Sequence, residues 1–542
     1  MPIKVFMSGS KSVATLAMLC VLLIAATIAA SGNVSLPLDA HEVFVIQTTQ
    51  EMHNRNDWIT PYFNNQPRLN KPPLNYWLTG AVAWANGSLD NVQAWHGRFV
   101  SVFAALCLVV ITFFTAVKLY NQNVAYIAVI MLVTSLGFFD YSHDARPDML
   151  YSMLCMAGVT AFVFACKSGS SAQRLAYIHI MWIAYALATL SKGPHIPAIF
   201  ITASLFFTRS TGLSWKEAAV FIRPFTGLIL FMIIAAPWWL LVNQQLGGEG
   251  LQGSQLTGTL FAIQFSNFYK FYYFYRPLIL ILPWVVFIPH AILNFIQDKA
   301  HKDANRLMAM LIFMPAIVLS FGSQERWVYM LPSITPMIIL LATSVNFLLG
   351  KIDNTVTFNR LILIFHFLLL VPVIIIAAVI YLSNGTDKSN LVFFIICLAN
   401  LVFVFVWVVR HGRGSSIHQF ILTGVSYAIF FTTMGITHTG WSKDRFEFYK
   451  LAKYAHEAAG NQPVYTININ PDIYVYYTAT GIHQVKNIEQ AMKIYSNSEN
   501  NRMFFIVRSR DIDSITTAMD YTVLHETSAP ENNTLSLIQV GK

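Results

Sequence analysis

Long apolar runs constrain this chain more than any other feature of its sequence. About thirteen stretches of roughly 16 to 24 mostly apolar residues recur along it, and a helix needs about 20 such residues to cross the hydrocarbon core of a bilayer. Only 11% of its 542 residues are charged, whereas soluble domains carry about 25%. We therefore predict an α-helical polytopic membrane protein with about 13 transmembrane helices, near residues 12–32, 97–117, 124–139, 148–166, 173–190, 194–208, 222–242, 273–296, 306–321, 328–348, 360–382, 389–409 and 418–437.

The first apolar run has two interpretations. Lys4 and Lys11 precede it and small residues follow it, as in a cleaved signal peptide. The run also reaches membrane length and many further runs come after it, which favours a first transmembrane helix. We expect the helix.

Basic residues mark one set of connecting loops. With the N-terminus in the cytoplasm, the inner segments hold fifteen of them: Lys4, Lys11, Lys118, Lys167, Arg174, Arg209, Lys216, Arg223, Lys299, Lys302, Arg306, Lys351, Arg360, Arg410 and Arg413. This excess predicts a cytoplasmic N-terminus and an outside C-terminus. It also explains the net charge of +9 without a nucleic-acid partner.

Two segments differ from the apolar runs. Residues 33–95 form a long outer loop, with helix-like stretches from His41 and from Pro72 that could lie in the membrane interface. From about residue 440 the chain alternates strand-like pieces, such as "PVYTINI", with helix-like pieces, such as "NIEQAMKIYS". We predict a membrane domain over 1–439 and a small α/β domain outside the cytoplasm over 440–542.

The cysteines give no sign of a disulfide or a metal site. Cys20, Cys107, Cys155, Cys166 and Cys397 all lie inside apolar runs, and none belongs to a CxxC pair. We expect them to be packing residues.

Charged residues at the outer ends of the apolar runs are functional candidates, because charge at membrane depth is costly. The first group is Asp39, His41 and Glu42. A carboxylate here could act as a general base or bind a cationic group. The alternative is a helix cap, with Asp39 or His41 opening the helix that Glu42 begins. No second ligand stands four residues on, so a metal site is not indicated.

The second group is "NKPPL", in which Lys71 precedes Pro72 and Pro73. Proline fits the first turn of a helix, and a helix start with an adjacent lysine favours an anion such as phosphate. The alternative is a lysine that extends to the membrane surface.

Three further groups lie on the same side. "DYSHDARPDMLYSM" supplies Asp144, Arg146 and Asp148; Asp148 could cap a helix, and Arg146 could pair with an aspartate or hold a phosphate. Lys192 precedes Gly-Pro between two apolar runs, and Arg326 and Tyr329 precede another run. Together the groups fit an amphiphilic phosphate ligand with its tail in the bilayer.

These motifs resemble those of the bacterial aminoarabinose (lipid A) transferases, which belong with the protein O-mannosyltransferases to the GT-C glycosyltransferases. The resemblance is carried by "HEVFVIQTTQEMHNRNDWITPYFNNQPRLNKPPLNYWLTGAV", "ARPDMLYSM", "SKGP" and "ERWVYMLPSITPM". It spans roughly residues 35–345 clearly. Two positions depart from the family pattern: His41 stands at the usual catalytic Asp, and Asn70 stands where a Glu precedes the Lys.

The resemblance implies an inverting transfer of sugar from a polyprenyl-phosphate donor at the outer face of a bacterial inner membrane. It implies that Lys71, Arg326, Lys192 and Arg146 hold the donor phosphate. Glu42 or Asp39 would be the base, and Asp148 would orient the site or bind substrate. His41, Asn70, Asp144 and Tyr329 are further candidates for substrate contact. We expect no obligatory cofactor, since the leaving group is a preformed phosphate, although a divalent metal stays open.

The acceptor stays open between a lipid A-like glycolipid and a protein. Two other classes of function also remain. A transporter for lipid-linked sugars would need charge deep within its spans, whereas the charges here lie at the outer boundary. A non-catalytic binder of lipid headgroups is the third reading, because His41 replaces the family's Asp.

Overall fold

The structure is a computed structural model, and it describes residues 11–31, 36–247, 271–322, 324–350, 375, 388–411, 416–437, 443–460, 462–478, 482–497, 502–512, 520–527 and 534–541. The chain divides into two compact units. We call Met1–Ser31, Leu69–Asn75 and Arg98–Thr437 the helical unit. We call Gly32–Arg68, Tyr76–Gly97 and His438–Lys542 the mixed unit.

The described residues before 443 are mainly helical. The α-helices are α1 (Lys11–Ala30), α2 (Ala40–Asn54), α3 (Leu74–Ala85), α4 (Ala94–Leu119), α5 (Gln122–Val133), α6 (Leu136–Ser142), α7 (Pro147–Cys166), α8 (Ser171–Lys192), α9 (His195–Ser210), α10 (Trp215–Ile222), α11 (Pro224–Gln245), α12 (Tyr272–Tyr275), α13 (Ile288–Gln297), α14 (Lys302–Leu319), α15 (Ile334–Gly350), α16 (Lys388–His411), α17 (Ser416–Thr437), α18 (Lys443–Ala459), α19 (Asp472–Val475) and α20 (Ile488–Asn497). Helices of the 3-10 type cover Arg276–Ile281, Trp284–Phe287, Trp327–Ser333 and Ser509–Asp511.

The strands in the described ranges are short and lie in the mixed unit. They are β1 (Tyr62–Phe63), β2 (Gln66–Pro67), β3 (Val464–Ile467), β4 (Ile482–Val485), β5 (Arg502–Arg508), β6 (Tyr521–Glu526) and β7 (Leu535–Gly541).

Several helices are long and apolar enough to cross a membrane. Among the described residues there are six, or up to eight if each of two bent helix pairs is one span; the six are Ala94–Leu119, Pro147–Cys166, Ser171–Lys192, Trp215–Gln245, Trp327–Leu349 and Gln419–Thr437. The multi-pass helical architecture is therefore confirmed, and the total of about 13 spans stays a prediction. The run predicted at 360–382 lies outside the described residues except for residue 375.

Two predicted spans are broken helices. The run at 124–139 bends by 57° between α5 and α6, and the run at 273–296 bends by 115° between Ile281 and Trp284. A hydrogen bond joins the two breaks: the Leu136 amide donates to the Leu282 carbonyl at 2.7 Å. A backbone group freed at membrane depth needs a partner inside the protein, so each break supports the other.

Gly137 permits this close approach. A Cβ at this position would stand 2.9 Å from the Leu280 carbonyl oxygen and 2.8 Å from the Ile334 side chain. Trp284 also links the two bends, since its indole N–H donates to the Thr134 hydroxyl at 3.2 Å. The helical unit is therefore tightly packed at the two bends.

The C-terminal part of the mixed unit is a five-stranded sheet in the order β4-β3-β5-β7-β6. The β3–β4 and β3–β5 pairs are parallel, and β5–β7 and β6–β7 are antiparallel. Both faces are covered: Phe504 and Ile506 of β5 pack in the core that includes Leu451 of α18. Phe505 and Val507, which point to the other face, pack in the core that includes Ala491 of α20. The predicted small α/β fold is confirmed for this segment.

The long loop after α1 belongs to the mixed unit. The Leu38 amide donates to the Tyr477 hydroxyl at 2.8 Å, and the Asn64 side-chain amide donates to the Ile482 carbonyl at 2.9 Å. The Tyr476 hydroxyl donates to the Val92 carbonyl at 3.3 Å. Residues 36–68 and 76–97 thus pack with the C-terminal segment. The functional division at residues 439 and 440 stays a prediction.

Helices α2 and α3 occupy the two helix-like stretches of this loop. α2 is buried around most of its circumference, and its position relative to a membrane interface stays a prediction. α3 packs against it through Tyr76. Burial raises the pKa of Tyr76, and the nearby Arg68 guanidinium, which donates to its hydroxyl at 2.9 Å, opposes that rise.

Candidate functional site

A buried ion triad lies where α7 begins and α8 ends. Asp148 is in the first turn of α7, after Pro147 and Arg146. Its carboxylate contacts the Lys192 ammonium, at the last residue of α8, and accepts from Arg146 Nε at 3.1 Å. The Asp148 and Lys192 side chains are 5% and 4% exposed. The structure therefore brings together three residues that were predicted separately.

Asp148 holds the two cations of the triad. A buried charge is tolerated only when it is paired and hydrogen-bonded, and the Asp148 carboxylate contacts both Lys192 and Arg146. Cations fixed in this way are suited to contact an anion. The helix-cap alternative for Asp148 does not describe its main contacts, because these go to the two cations.

The Gly-Pro after Lys192 turns the chain at this site. Gly193 has φ 125° and ψ 169° and ends α8, a conformation that favours glycine. Pro194 precedes the first residue of α9. The short motif thus places the Lys192 side chain at the junction of two helices.

Two tyrosines and a histidine line the lysine. The Lys192 ammonium lies 4.9 Å from the centre of the Tyr329 ring and 5.7 Å from that of Tyr151. The Tyr151 hydroxyl accepts from the Ile196 amide at 3.1 Å and donates to the Gly193 carbonyl at 3.1 Å. The His195 ring lies beside both tyrosine rings, tilted against Tyr151 and edge-on to Tyr329, with centroids at 5.4 Å and 5.8 Å. The aromatic faces stabilise the ammonium by cation–π attraction.

Tyr151 and His195 were not identified from the sequence. Each lies three residues after a predicted site residue: Tyr151 after Asp148 and His195 after Lys192. In a helix a residue three positions on lies on the same face, and this spacing could have pointed to Tyr151. His195 lies beyond the turn, so no helical spacing indicates it.

Arg326 stands in a segment held by two tyrosines. Its amide donates to the Tyr273 hydroxyl at 3.1 Å, and the Trp327 amide donates to Tyr272 at 3.2 Å. The Arg326 side chain is exposed, and its charge acts on Lys192. Arg326 therefore adds to the positive field around the triad.

Lys71 belongs to the same field. Pro72 and Pro73 follow it, both buried, and α3 begins at the next residue. Its half-buried side chain lies close enough for its charge to act on Asp148 and on His195. Four predicted cations of the helical unit thus influence one location: Lys71, Arg146, Lys192 and Arg326.

Two further predicted contacts, Asp144 and Asn70, have different surroundings. Asp144 is buried, and its carbonyl accepts from the Ser101 hydroxyl at 2.6 Å and from the Arg146 amide at 2.8 Å. Its backbone thereby supports the turn that carries Arg146. Asn70 is half-buried in the segment before Lys71, and its role stays a prediction.

The acidic residues of the first loop form a separate arrangement in the mixed unit. Asp39 caps α2: one carboxylate oxygen accepts from the amides of His41 and Glu42, at 2.7 Å and 2.8 Å. The Glu42 carboxylate accepts from the Asp39 amide at 3.1 Å, which completes a capping box. His41 is exposed. The helix-cap alternative therefore describes Asp39.

Arg445 of α18 holds both carboxylates. Its guanidinium donates to Glu42 at 2.9 Å and to Asp39 at 3.4 Å. The Glu42 side chain is 0% exposed and that of Asp39 is 24% exposed. Sequence reasoning missed Arg445, because it stands more than 400 residues from Glu42 along the chain. The base role of either carboxylate stays a prediction.

Metal ligation is not apparent in the part of the chain that the structure describes. These residues contain no group of three or more His, Cys, Asp or Glu side chains placed to hold an ion. The five cysteines are free thiols.

Comparison with known proteins identifies relatives of this chain. Residues 70–240 match the family model described as dolichyl-phosphate-mannose-protein mannosyltransferase. The undecaprenyl phosphate-alpha-4-amino-4-deoxy-L-arabinose arabinosyl transferase of Erwinia tasmaniensis is 23% identical over 315 residues, which are 56% of this chain and 54% of that protein. The chain thus spans about half the length of the curated relatives that it matches.

The fold is similar to that of solved structures over nearly the whole chain. The crystal structure of ArnT from Cupriavidus metallidurans in the apo state has a TM-score of 0.75 at 13% identity, with 98% of each chain covered. The same protein bound to undecaprenyl phosphate has a TM-score of 0.72 at 14% identity and the same coverage. The resemblance that the sequence motifs indicated is confirmed.

Proposed function

We propose that this chain, a relative of the bacterial aminoarabinose transferases in the GT-C superfamily, is an integral-membrane glycosyltransferase that uses a polyprenyl-phosphate-linked sugar. The observation that carries the proposal is the buried Asp148–Lys192–Arg146 triad, with Lys71 and Arg326 acting on it. It fixes cationic side chains at the ends of apolar helices, where an amphiphilic phosphate would present its headgroup.

The chemistry follows from the charge of the leaving group. An acceptor oxygen attacks the anomeric carbon of the sugar, and the bond from that carbon to the phosphate oxygen breaks. The bonding electrons stay with the phosphate, which gains negative charge in the transition state. Lys192, Lys71 and Arg326 would stabilise that charge, as fixed cations do when they face a developing anion. Asp148 would position Lys192 and Arg146.

The attacking oxygen needs a base only if it carries a proton. For a hydroxyl acceptor we assign this role to Asp39 in preference to Glu42, because the Glu42 side chain is fully buried against Arg445 whereas Asp39 is partly exposed. A phosphate acceptor is already ionised at neutral pH and needs no base. His41 would contact substrate and would not act as the base.

Transfer would need no metal, because the leaving phosphate can be neutralised by side-chain cations alone. We therefore expect transfer to continue in the presence of a chelator. Strong inhibition by EDTA, relieved by Mg²⁺, would contradict this part of the proposal.

The proposed location is the bacterial inner membrane, with a cytoplasmic N-terminus and the segment after residue 440 in the periplasm. The loop charges support this orientation. The proposed acceptor is a lipid A-like glycolipid, because the relatives over half of the chain are aminoarabinosyl transferases. A protein acceptor is the alternative, since the matching family model describes protein mannosyltransferases.

The test is mass spectrometry of lipids from cells that carry or lack the gene. We expect cells without it to lose one sugar from lipid A and to accumulate the matching polyprenyl-phosphate sugar. Loss of a sugar from a protein, with lipid A unchanged, would favour the protein acceptor. Loss of that sugar from lipid A, with the accumulated polyprenyl-phosphate sugar protected from a membrane-impermeant reagent and thus confined to the inner leaflet, would favour a transporter and overturn the proposal.

A further inference from the structure

A cavity of about 600 Å³ lies at the far end of α8 from the ion triad. Its walls are the first turns of α8, α10, and the residue that joins α10 to α11. The 22 residues of α8 extend about 33 Å at the usual helical rise, close to the thickness of the hydrocarbon core. The cavity therefore lies at the membrane boundary opposite to Lys192.

Three exposed cations line this cavity: Arg174, Lys216 and Arg223. In the described ranges none of the three forms an ion pair with a carboxylate. The Arg174 guanidinium lies over the Phe221 ring, 5.6 Å from its centre, which holds it at the cavity wall. The charges converge on one space without neutralising each other.

Glu217 is the one carboxylate among the residues that line this cavity, and it is hydrogen-bonded to Ser214. Glu217 accepts from the amide and the hydroxyl of Ser214, at 2.8 Å and 2.7 Å, and so caps α10. The cavity keeps a net positive charge.

Arg223 occupies a backbone conformation that favours glycine. Its φ is 53° and its ψ is 54°, and it ends α10 and precedes α11. A long side chain in this left-handed region is disfavoured. Glycine would adopt this backbone conformation with less strain. We therefore attribute the presence of arginine to its charged side chain.

Apolar surface continues from the cavity along α11. Leu175, Ile178 and Val220 complete the wall. Beyond Arg223, Phe225 is 77% exposed and Leu228 is 53% exposed. A ligand that fits this surface has an anionic head and long apolar tails.

We propose that this cavity binds an anionic glycerophospholipid of the leaflet facing it. The headgroup phosphate contacts Arg174, Lys216 and Arg223, and the acyl chains lie along the exposed apolar face of α11. Basic pockets between membrane helices recognise anionic headgroups in this way. The site is separate from the ion triad and does not depend on the proposed transferase activity.

Native mass spectrometry of the full-length protein, titrated in detergent with dioleoyl phosphatidylglycerol, tests the proposal. We expect wild-type protein to retain this lipid much better than dioleoyl phosphatidylcholine. Each cation near a lipid phosphate contributes about fivefold in affinity, so Arg174→Gln/Lys216→Gln/Arg223→Gln should bind about a hundredfold more weakly. Equal retention by wild type and triple variant, or equal binding of the two lipids, would overturn it.

Two controls separate this result from other causes. Lys167→Gln/Lys299→Gln/Lys302→Gln removes three exposed lysines of the predicted inner loops that do not line the cavity, and it should retain the lipid as wild type does. Arg223→Gly removes one cation while keeping a residue suited to the turn, so it should fold normally and bind about fivefold more weakly. Inorganic phosphate alone should not displace the lipid at comparable concentrations; displacement would mean a free-phosphate site and contradict the proposal.

Discussion

At the residue scale, two groups of carboxylates are each held by basic side chains, Asp148 in one group and Asp39 and Glu42 in the other. The sequence indicated the basic residues of the first group but not that of the second. Lys192 and Arg146 were predicted as phosphate ligands, and the structure adds that Asp148 binds both. Arg445, which binds Glu42, carried no signal, because a contact between distant segments leaves no spacing to detect. Residue types at apolar boundaries were therefore predictable, and so was an aspartate as one possible partner of Arg146. The contacts of Lys192 with Asp148 and of Arg445 with Glu42 were not.

The Asp148–Lys192 pair should show strong coupling in stability. Asp148→Asn leaves the buried Lys192 and the half-buried Arg146 without this carboxylate, and breaking a buried pair costs about 3–5 kcal/mol. Asp148→Asn/Lys192→Met should unfold nearer to the wild-type temperature than Asp148→Asn alone. Thermal unfolding in detergent measures this. Additive effects of the two changes would contradict the pairing.

Substitutions at Asp39 can separate its role as the cap of α2 from its proposed role as the base. Asparagine caps a helix as well as aspartate does, so Asp39→Asn should keep the unfolding temperature and lose transfer to a hydroxyl acceptor. Glu42→Gln should retain more transfer. Full turnover by Asp39→Asn, measured with the same acceptor, would remove the base role from this residue.

At the element scale, the apolar runs predicted helices but not their breaks. The runs at 124–139 and 273–296 are continuous in hydropathy, whereas the structure bends both. The signals were local: Ser135 caps α6, with its hydroxyl accepting from the Phe138 amide, and Pro283 precedes the second 3-10 turn of the other pair. Mean hydropathy averages over such residues, so periodicity alone could not locate the bends.

Gly137→Ala tests the packing of the two bends. The added methyl would meet a backbone carbonyl at 2.9 Å, which cannot move as freely as a side chain, and overpacking costs about 1–3 kcal/mol. We expect a lower unfolding temperature. Gly169→Ala is the control, because a Cβ there meets nothing within 4 Å. Equal stability of the two variants would show that the bends are not closely packed.

At the scale of the whole molecule, the sequence indicated the helical and α/β parts but not their grouping. The loop after α1 packs with the segment after residue 443 through bonds such as Leu38 to Tyr477. These residues are 439 positions apart, and no periodicity links them. The predicted membrane topology, by contrast, rests on loop charges that the sequence displays directly.

Reporter fusions test that topology. A reporter active only outside the cytoplasm should be active after residue 440 and inactive within the loop that carries Lys299 and Lys302. The positive-inside distribution is the reason for this expectation. Activity in the opposite pattern would reverse the membrane side of every proposed site residue.

The most direct measurement of the central claim is sugar transfer in proteoliposomes, with a polyprenyl-phosphate sugar fraction isolated from the native cells and their lipid A as acceptor. Lys71→Ala should lower transfer about 100- to 1000-fold, the usual effect of removing one group that stabilises a developing anion. Lys167→Ala, an exposed lysine outside the triad, should transfer normally. Transfer by Lys71→Ala at the wild-type rate would contradict the phosphate-binding role on which the proposed function rests.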